Sequence, residues 1–222
     1  MVPELKLAEL LCTRLCHDLT GPIGAIANGA EFLSDEGFDL QGQAIELINS
    51  SAAQAVSRLQ FYRKAYGRIN DDGEADLAEQ KKITGDFFLG SKTVLDWPDT
   101  HTDASGVSVS YKMGRLLLNM IIIASSSLLR GGTLSVRISA NGTLKELSVS
   151  ASSPSPVKWD KEIEEALSGR VELSQLTPKT VQADLTRWLA EELGITLSWQ
   201  ADESSFALIA RQPLQDNTAT TD

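Results

Sequence analysis

Residues 15–26 have the sequence Leu-Cys-His-Asp-Leu-Thr-Gly-Pro-Ile-Gly-Ala-Ile and lie within a long amphipathic segment. Apolar residues recur along this segment every three or four positions, at Ala8, Leu11, Leu15, Leu19, Ile23, Ile26, Ala30 and Leu33. Such spacing predicts one apolar stripe on a helix. His17, one of two histidines in the chain, is two positions from Leu15 and from Leu19, which is about 200° around a helix. We therefore expect its imidazole to point into solvent, where another protein can reach it.

The same pattern predicts a first helix from about Pro3 or Glu4 to Ser34, with Asp-Glu-Gly at residues 35–37 as its stop. Pro22 falls inside this helix. Because the apolar spacing continues past Pro22 in the same phase, we predict one bent helix rather than two. A second helix follows from about Leu40 to Tyr66, and the short loop between the two makes an antiparallel hairpin.

A lone hairpin of this length cannot cover its own apolar surface. The second helix carries its stripe at Ile45, Ile48, Ala52, Ala55, Leu59, Tyr62 and Tyr66. A symmetric homodimer, in which two hairpins form a four-helix bundle, would cover both stripes. The alternative is that the carboxy-terminal part of the chain folds back over the hairpin.

A polar, turn-rich linker from Gly67 to Asp76 separates the hairpin from a second domain. We expect the hairpin at residues 1–68, the second domain at 77–212 and a flexible tail at 213–222. Within the second domain the pattern predicts helices around 78–89, 110–129, 160–168 and 178–193, and strands around 93–97, 133–140, 144–152, 195–200 and 205–211. Asn141-Gly142 predicts a hairpin between two of these strands. The fold class is therefore α+β.

Composition and charge exclude several function classes. The net charge of −10, from 30 acidic and 20 basic residues, argues against a nucleic-acid partner. Residues 1–6, Met-Val-Pro-Glu-Leu-Lys, lack the features of a secretion signal. The longest apolar run, Leu116 to Ala124, is far shorter than the ~20 residues that span a bilayer. We expect a soluble cytoplasmic protein with no membrane contact.

Cys12 and Cys16 lie close before His17, so a metal or haem site has to be considered. A structural zinc site needs four ligands, and the other histidine, His101, stands in a distant loop without a cysteine nearby. Haem attachment uses Cys-x-x-Cys-His, whereas three residues separate these cysteines. We therefore expect no metal or cofactor of the chain's own, and two buried or half-buried cysteines of a cytosolic helix.

The segment His17-Asp18-Leu19-Thr20-Gly21-Pro22-Ile23 resembles the H-box of bacterial sensor histidine kinases, which marks the phosphorylated helix of their dimerisation domain. The following domain resembles their ATP-binding domain in order and length. The likeness covers roughly residues 4 to 211. It implies a dimeric four-helix bundle followed by a histidine-kinase ATPase-like α/β sandwich.

The nucleotide-binding residues of those kinases are not matched. Where the kinases have an asparagine that ligates magnesium, the segment Asn119-Met-Ile-Ile-Ile123-Ala has Ile123, and an alkyl group cannot coordinate a hard cation. Residues 151–156, Ala-Ser-Ser-Pro-Ser-Pro, replace a segment that carries a carboxylate and glycines, and no Gly-rich lid follows, since 161–167 is a charged amphipathic helix. An ATP-dependent kinase fragment is therefore the less favoured alternative.

A retained H-box hairpin beside an ATPase-like domain without its ATP ligands is similar to the ChpT class of bacterial histidine phosphotransferases. This resemblance implies a phosphorelay intermediate, which accepts phosphate from the receiver domain of a hybrid kinase and passes it to receiver domains of response regulators. Mg²⁺ and a lysine would come from the receiver. A non-catalytic adaptor that binds receivers is the other alternative.

The chemistry assigns roles to residues around His17, the expected phosphoacceptor. An exposed imidazole is mostly neutral at cytoplasmic pH and needs no elaborate activation. Asp18 orients the other ring nitrogen or takes its proton, or else it is merely a solvated carboxylate. If the loop is centred near residue 37 or 38, Arg58 lies opposite His17, where it either contacts phosphate or is solvated. Arg14, one turn before Asp18, is expected to form an intrahelical ion pair beside the partner-binding surface.

Gly21, Gly24 and Gly29 are unusual in a helix, where each costs up to ~1 kcal/mol relative to alanine. We expect Gly21 and Gly24 to keep the surface beside His17 low so that a receiver helix can dock, with Ala25 and Asn28 extending that surface. Close packing between helices is the alternative. Gly21 also stands where kinases with phosphatase activity have Thr or Asn, so hydrolytic phosphatase activity is not expected.

Overall fold

The computed structural model describes residues 3–34, 41–67, 73–99, 108–141, 144–157 and 159–213. Its helices are α1 (Pro3–Ser34), α2 (Gln41–Tyr66), α3 (Leu77–Phe87), α4 (Tyr111–Ser126), α5 (Lys161–Leu167) and α6 (Val181–Glu192), with a 3-10 turn at Leu173–Gln175. Its strands are β1 (Thr93–Asp96), β2 (Gly132–Asn141), β3 (Leu144–Ser152), β4 (Thr196–Ala201) and β5 (Ser205–Pro213). The predicted α+β class is confirmed.

The predicted element boundaries differ from these by at most three residues, at the end of α4 and the start of α6. The 3-10 turn was not predicted. Several features of the sequence lie outside the described residues: the stop at 35–37, the middle of the linker at 68–72, His101, Gly142 of the predicted turn, and the tail from 214 onward.

Helix α1 continues through Pro22, as predicted, and the side that faces α2 includes Asp18, Pro22 and Gly29. A Cβ atom at Gly29 would lie 2.7 Å from Cγ1 of Ile48, so close packing of the two helices explains this glycine. The single predicted stripe is wrong in part, because four of its members are exposed: Ala8, Ile23, Ala30 and Leu33. Helix α1 has more than one neighbour, so its buried residues do not follow one line.

The second domain contains a five-stranded sheet of order β1-β2-β3-β5-β4, in which only the β1–β2 pair is parallel. Strands β2 and β3 form the predicted hairpin, with Asn141 paired to Leu144. Helix α4 packs on the sheet, and Leu116–Ala124 is buried on every side, as expected for a helix that is apolar all round. Within the described chain, no helix combines the length and the apolar character needed to cross a bilayer.

The second domain holds the carboxy-terminal end of α2. The last carbonyls of a helix have no hydrogen-bond partner within the helix. Here, side chains of α4 donate hydrogen bonds to them. Arg115 donates from Nε to the carbonyl of Ala65 (3.1 Å) and from Nη2 to that of Tyr66 (3.2 Å). Asn119 donates from Nδ2 to the same Ala65 carbonyl (2.9 Å), and its Oδ1 accepts from Nε2 of Gln182 (2.6 Å). The hairpin and the second domain are therefore joined by a buried polar network.

Asn119→Leu is expected to lower the free energy of unfolding by about 2–4 kcal/mol, because leucine fills a similar volume but leaves the buried Gln182 amide without its acceptor. Urea denaturation measures this loss. Gln175→Leu, at an exposed amide, is the control and should shift stability by less than about 0.5 kcal/mol. Equal effects of the two substitutions would show that the network contributes nothing.

The hairpin keeps an uncovered apolar surface away from the second domain. Phe61, Tyr62 and Ala65 are buried, whereas Ile45, Val56 and Leu59 on α2 are about half exposed. Val56 and Leu59 are one turn apart, and Ile45 is three turns before Val56, so the three share one face. The carboxy-terminal part thus covers only one end of the hairpin, and an apolar face of this kind is typical of a protein interface.

Candidate functional site

His17 stands in the middle of α1 with its side chain 89% exposed. The imidazole points into solvent, as its sequence spacing of two positions from Leu15 and Leu19 predicts. No described backbone or side chain covers it, so a second protein can approach the ring directly.

Asp18 is more than a solvated carboxylate. Its side chain is 26% exposed, and its Oδ1 lies 3.4 Å from Nδ1 of His17. Its Oδ2 accepts a hydrogen bond from the hydroxyl of Tyr62 on α2. The carboxylate therefore bridges the inside of the hairpin and the exposed imidazole.

The two arginines bind backbone carbonyls. Arg58 lies at the level of Asp18, as counting around the loop predicts, and donates from Nη1 to the Asp18 carbonyl. Arg14 donates from Nη1 to the carbonyls of Pro178 and Lys179, at 3.3 and 3.4 Å. The Nε atom of Arg14 is 4.0 Å from Oδ2 of Asp18, so the expected intrahelical ion pair is at the limit of contact. Arg14 chiefly ties α1 to the loop before α6.

Tyr62 is the site residue that the sequence did not single out. It was predicted only as part of an apolar stripe. Its ring stacks on Tyr66 with centroids 5.2 Å apart, and the Tyr66 hydroxyl donates to Oε1 of Gln182 (2.5 Å). Burial, aided by the hydrogen bond to Asp18, raises the pKa of Tyr62 well above its ordinary value, so the hydroxyl remains a donor at neutral pH. A tyrosine on the buried stripe opposite Asp18 was the available signal, since a buried Tyr hydroxyl usually finds a partner.

The surface beside His17 is built from small residues. A Cβ atom at Gly21 or Gly24 would meet nothing within 4 Å, so packing within the chain does not explain these two glycines. Asn28 is exposed and Ala25 is half-buried. Cys12 and Cys16 are both exposed free thiols, so the expectation that they are buried or half-buried is wrong.

A cavity of about 240 Å³ lies between α1, α4, α5 and α6. Ile123 lines it, as do Arg14, Ser126, Lys179 and Gln182. This volume is below the ~300–1,000 Å³ typical of ligand pockets. Lys179 forms ion pairs with Asp160 and Glu162 beside it. Among the described residues, no three His, Cys, Asp or Glu side chains are placed to share a metal ion.

Comparison with known proteins gives concordant results. Residues 77–205 match the family model described as "Histidine phosphotransferase C-terminal domain". A curated relative, "Protein phosphotransferase ChpT" of Brucella abortus (strain 2308), is 33% identical over 198 residues, which are 89% of this chain and 91% of the relative. A solved structure, "1.7 Angstrom Structure of a Bacterial Phosphotransferase", is 32% identical with a TM-score of 0.79, covering 93% of this chain and 96% of that one. The chain therefore belongs to the ChpT-type family of histidine phosphotransferases.

Proposed function

We propose that this histidine phosphotransferase uses His17 to carry phosphoryl groups between receiver-domain aspartates, from a hybrid histidine kinase to response regulators. The observation that carries the proposal is an 89% exposed imidazole whose Nδ1 faces a carboxylate held from the opposite side. Membership of the phosphotransferase family supports it.

The geometry favours Nε2 of His17 as the nucleophile. When Nδ1–H donates to Oδ1 of Asp18, the lone pair of the neutral ring is on Nε2, which faces solvent. Nε2 attacks the phosphorus of a receiver aspartyl phosphate, the bond from phosphorus to the carboxylate oxygen breaks, and the aspartate leaves as a carboxylate. The phosphorylated ring then loses its Nδ1 proton, with Asp18 as the nearest acceptor. The reverse sequence delivers the phosphoryl group to a second receiver.

The charge on the transferring group has to be balanced by cations, because phosphoryl transfer passes through a loose, highly charged transition state. The described side chains around His17 do not suit Mg²⁺ as ligands. The carboxylate of Asp18 already accepts a hydrogen bond from Tyr62, and the guanidinium of Arg58 is a cation that donates to a carbonyl. We therefore assign Mg²⁺ and a lysine to the visiting receiver. We propose that Arg58, which donates to the Asp18 carbonyl, contacts the phosphate with its remaining N–H groups.

The receiver docks, in this proposal, on the small-residue surface formed by Gly21, Gly24, Ala25 and Asn28. Arg14 borders this surface from the side of the second domain. The exchange takes place in the cytoplasm, where exposed thiols such as those of α1 remain reduced.

Gly21 provides a prediction in which stability and activity change in opposite directions. Gly21→Ala should stabilise the protein by about 0.5–1 kcal/mol, because alanine favours helix and the space is open. Gly21→Leu should slow phosphate transfer from a receiver about tenfold or more, because the larger side chain obstructs docking. Thermal unfolding and transfer kinetics measure the two effects. Gly42→Leu, also in open space but at the start of α2, is the control, and an unchanged rate for Gly21→Leu would contradict the docking surface.

We further propose that two copies pair through the exposed face of Ile45, Val56 and Leu59, so that two hairpins form a four-helix bundle. Ile23 on α1, which is also about half exposed, would join this interface. Burying these side chains in a second copy stabilises the pair by the hydrophobic effect.

The experiment that tests the relay uses a panel of purified receiver domains, each charged with acetyl phosphate and Mg²⁺ and then freed of the donor. Mixing without nucleotide should move the label from a receiver to this protein, and onward to a second, uncharged receiver. Labelling by ATP and Mg²⁺ alone would identify a kinase. Receiver binding with no phosphate on the protein would identify an adaptor.

A further inference from the structure

We propose that Tyr62 is a positioning residue for phosphate transfer, whose buried hydroxyl holds the Asp18 carboxylate against Nδ1 of His17. The inference rests on the proposed function of His17. It also gives the second domain a part in the chemistry, because that domain braces the tyrosine ring.

The contact between His17 and Asp18 needs an outside constraint. Residues at adjacent positions on a helix do not face each other. Yet Oδ1 of Asp18 lies 3.4 Å from Nδ1 of His17, on a side chain that also reaches the inside of the hairpin. Tyr62 binds the other oxygen, Oδ2, and so fixes the rotation of the carboxylate that leaves Oδ1 toward the imidazole.

Arg14 is a competing partner for the Asp18 carboxylate. The Nε of Arg14 is buried without a hydrogen-bond partner, and it lies 4.0 Å from Oδ2 of Asp18. A buried N–H without an acceptor attracts a nearby carboxylate strongly. Without the Tyr62 hydroxyl, we expect Asp18 to turn toward Arg14 and to leave His17 without its oriented neighbour.

The ring of Tyr62 is held rigidly from several elements. It stacks on Tyr66 at 5.2 Å and meets the edges of Phe61 at 6.1 Å and of Phe87, on α3, at 5.8 Å. Tyr66 is in turn fixed by Gln182 on α6. Helices of the second domain thus keep the Tyr62 hydroxyl where Asp18 needs it.

Tyr62 acts in this scheme as a neutral donor and not as a proton acceptor. Its raised pKa means that the hydroxyl is not lost as the pH rises through the ordinary range of tyrosine titration. The ratio of the wild-type to the Tyr62→Phe transfer rate should therefore stay constant between about pH 6.5 and 9.

The test compares Tyr62→Phe with Tyr111→Phe, which removes the same hydroxyl from an exposed tyrosine on α4 that takes no part in the site. Phosphoramidate serves as a direct donor to the imidazole: its P–N bond breaks, ammonia leaves, and the P–Nε2 bond forms. For Tyr62→Phe we expect the maximal rate to fall about tenfold, with the half-saturating donor concentration unchanged. Tyr111→Phe should stay within about twofold of wild type. In an Asp18→Asn background, Tyr62→Phe should add no further loss, because both changes remove one interaction.

Nitrogen-15 NMR of the His17 ring is a readout that does not depend on transfer. The wild-type protein and Tyr111→Phe should show the neutral ring protonated mainly at Nδ1, and Tyr62→Phe should show the mixture found in an unconstrained imidazole. A Tyr62→Phe protein with the wild-type tautomer and rate would overturn the inference. If no phosphate reaches the wild-type protein, the relay proposal fails, while the tautomer still decides whether Tyr62 positions Asp18.

Discussion

His17→Gln is expected to abolish phosphate acceptance from every charged receiver, with a loss of at least about 1,000-fold. The glutamine amide has hydrogen-bonding atoms but no nucleophilic nitrogen, because its lone pair is delocalised into the carbonyl. The fold should be unaffected, since an 89% exposed side chain contributes little to packing. Stability within about 0.5 kcal/mol of wild type, measured by thermal unfolding, separates loss of chemistry from loss of structure.

The second histidine provides the matched control for this result. His101→Gln makes the same chemical change at the chain's other imidazole and should accept phosphate at the wild-type rate. Label that persists on His17→Gln, or that disappears from His101→Gln, would place the phosphate on a different residue.

Val56→Glu is expected to convert a dimer into a monomer, with the dissociation constant raised at least about 100-fold. In a symmetric interface one substitution places two carboxylates in an apolar contact, and both lose their hydration. Because Val56 is 53% exposed in the single chain, the hairpin itself can carry the glutamate without unfolding. Light scattering at about 100 µM protein measures the mass directly.

Val94→Glu is the control for the interface. Val94 is also exposed but belongs to the edge strand β1, in the second domain. Its substitution should leave the mass of the dimer unchanged. A wild-type protein that is monomeric at this concentration, or a Val56→Glu protein with the wild-type mass, would contradict the proposed bundle.

The elements of this fold were predictable because their signals are local. A helix shows itself in the spacing of apolar residues, and turn residues mark where it stops, so α1, α2 and the β2–β3 hairpin follow from short windows of sequence. The position of Arg58 along α2 was also predictable, because counting residues around a short loop places it opposite His17 and Asp18.

The contacts that join distant parts of the chain were not predictable in this way. The expected pair of Arg14 with Asp18 on its own helix is present only at the limit of contact, 4.0 Å. The hydrogen bonds of Arg14 to the carbonyls of Pro178 and Lys179 were not predicted. The bond from Tyr62 to Asp18 joins two helices at positions 44 residues apart, and it depends on how far each helix is rotated about its axis. The spacing of apolar residues predicts only which face of each helix is buried. A hydrogen bond requires its two atoms to be placed to within a few tenths of an ångström.

Asn119 illustrates how a recognised motif can take a structural role. Ile123 stands where the kinases have their magnesium ligand. It lines a small cavity and offers no atom that can bind a metal. Asn119, four positions earlier, is fully buried and binds Ala65 at the end of α2. A residue of the kinase-like motif therefore serves here to attach the helical hairpin to the second domain.

In the proposed relay, the exposed imidazole of His17 carries phosphate without help from nucleotide. The most direct measurement is phosphorus-31 NMR on the protein after it has been charged by a phosphorylated receiver in the absence of ATP, with the modified residue mapped by mass spectrometry. We expect one acid-labile phosphoramidate signal, at Nε2 of His17, that disappears when an uncharged receiver is added. A signal on any other residue, or one that arises only when ATP is present, would contradict the proposed relay.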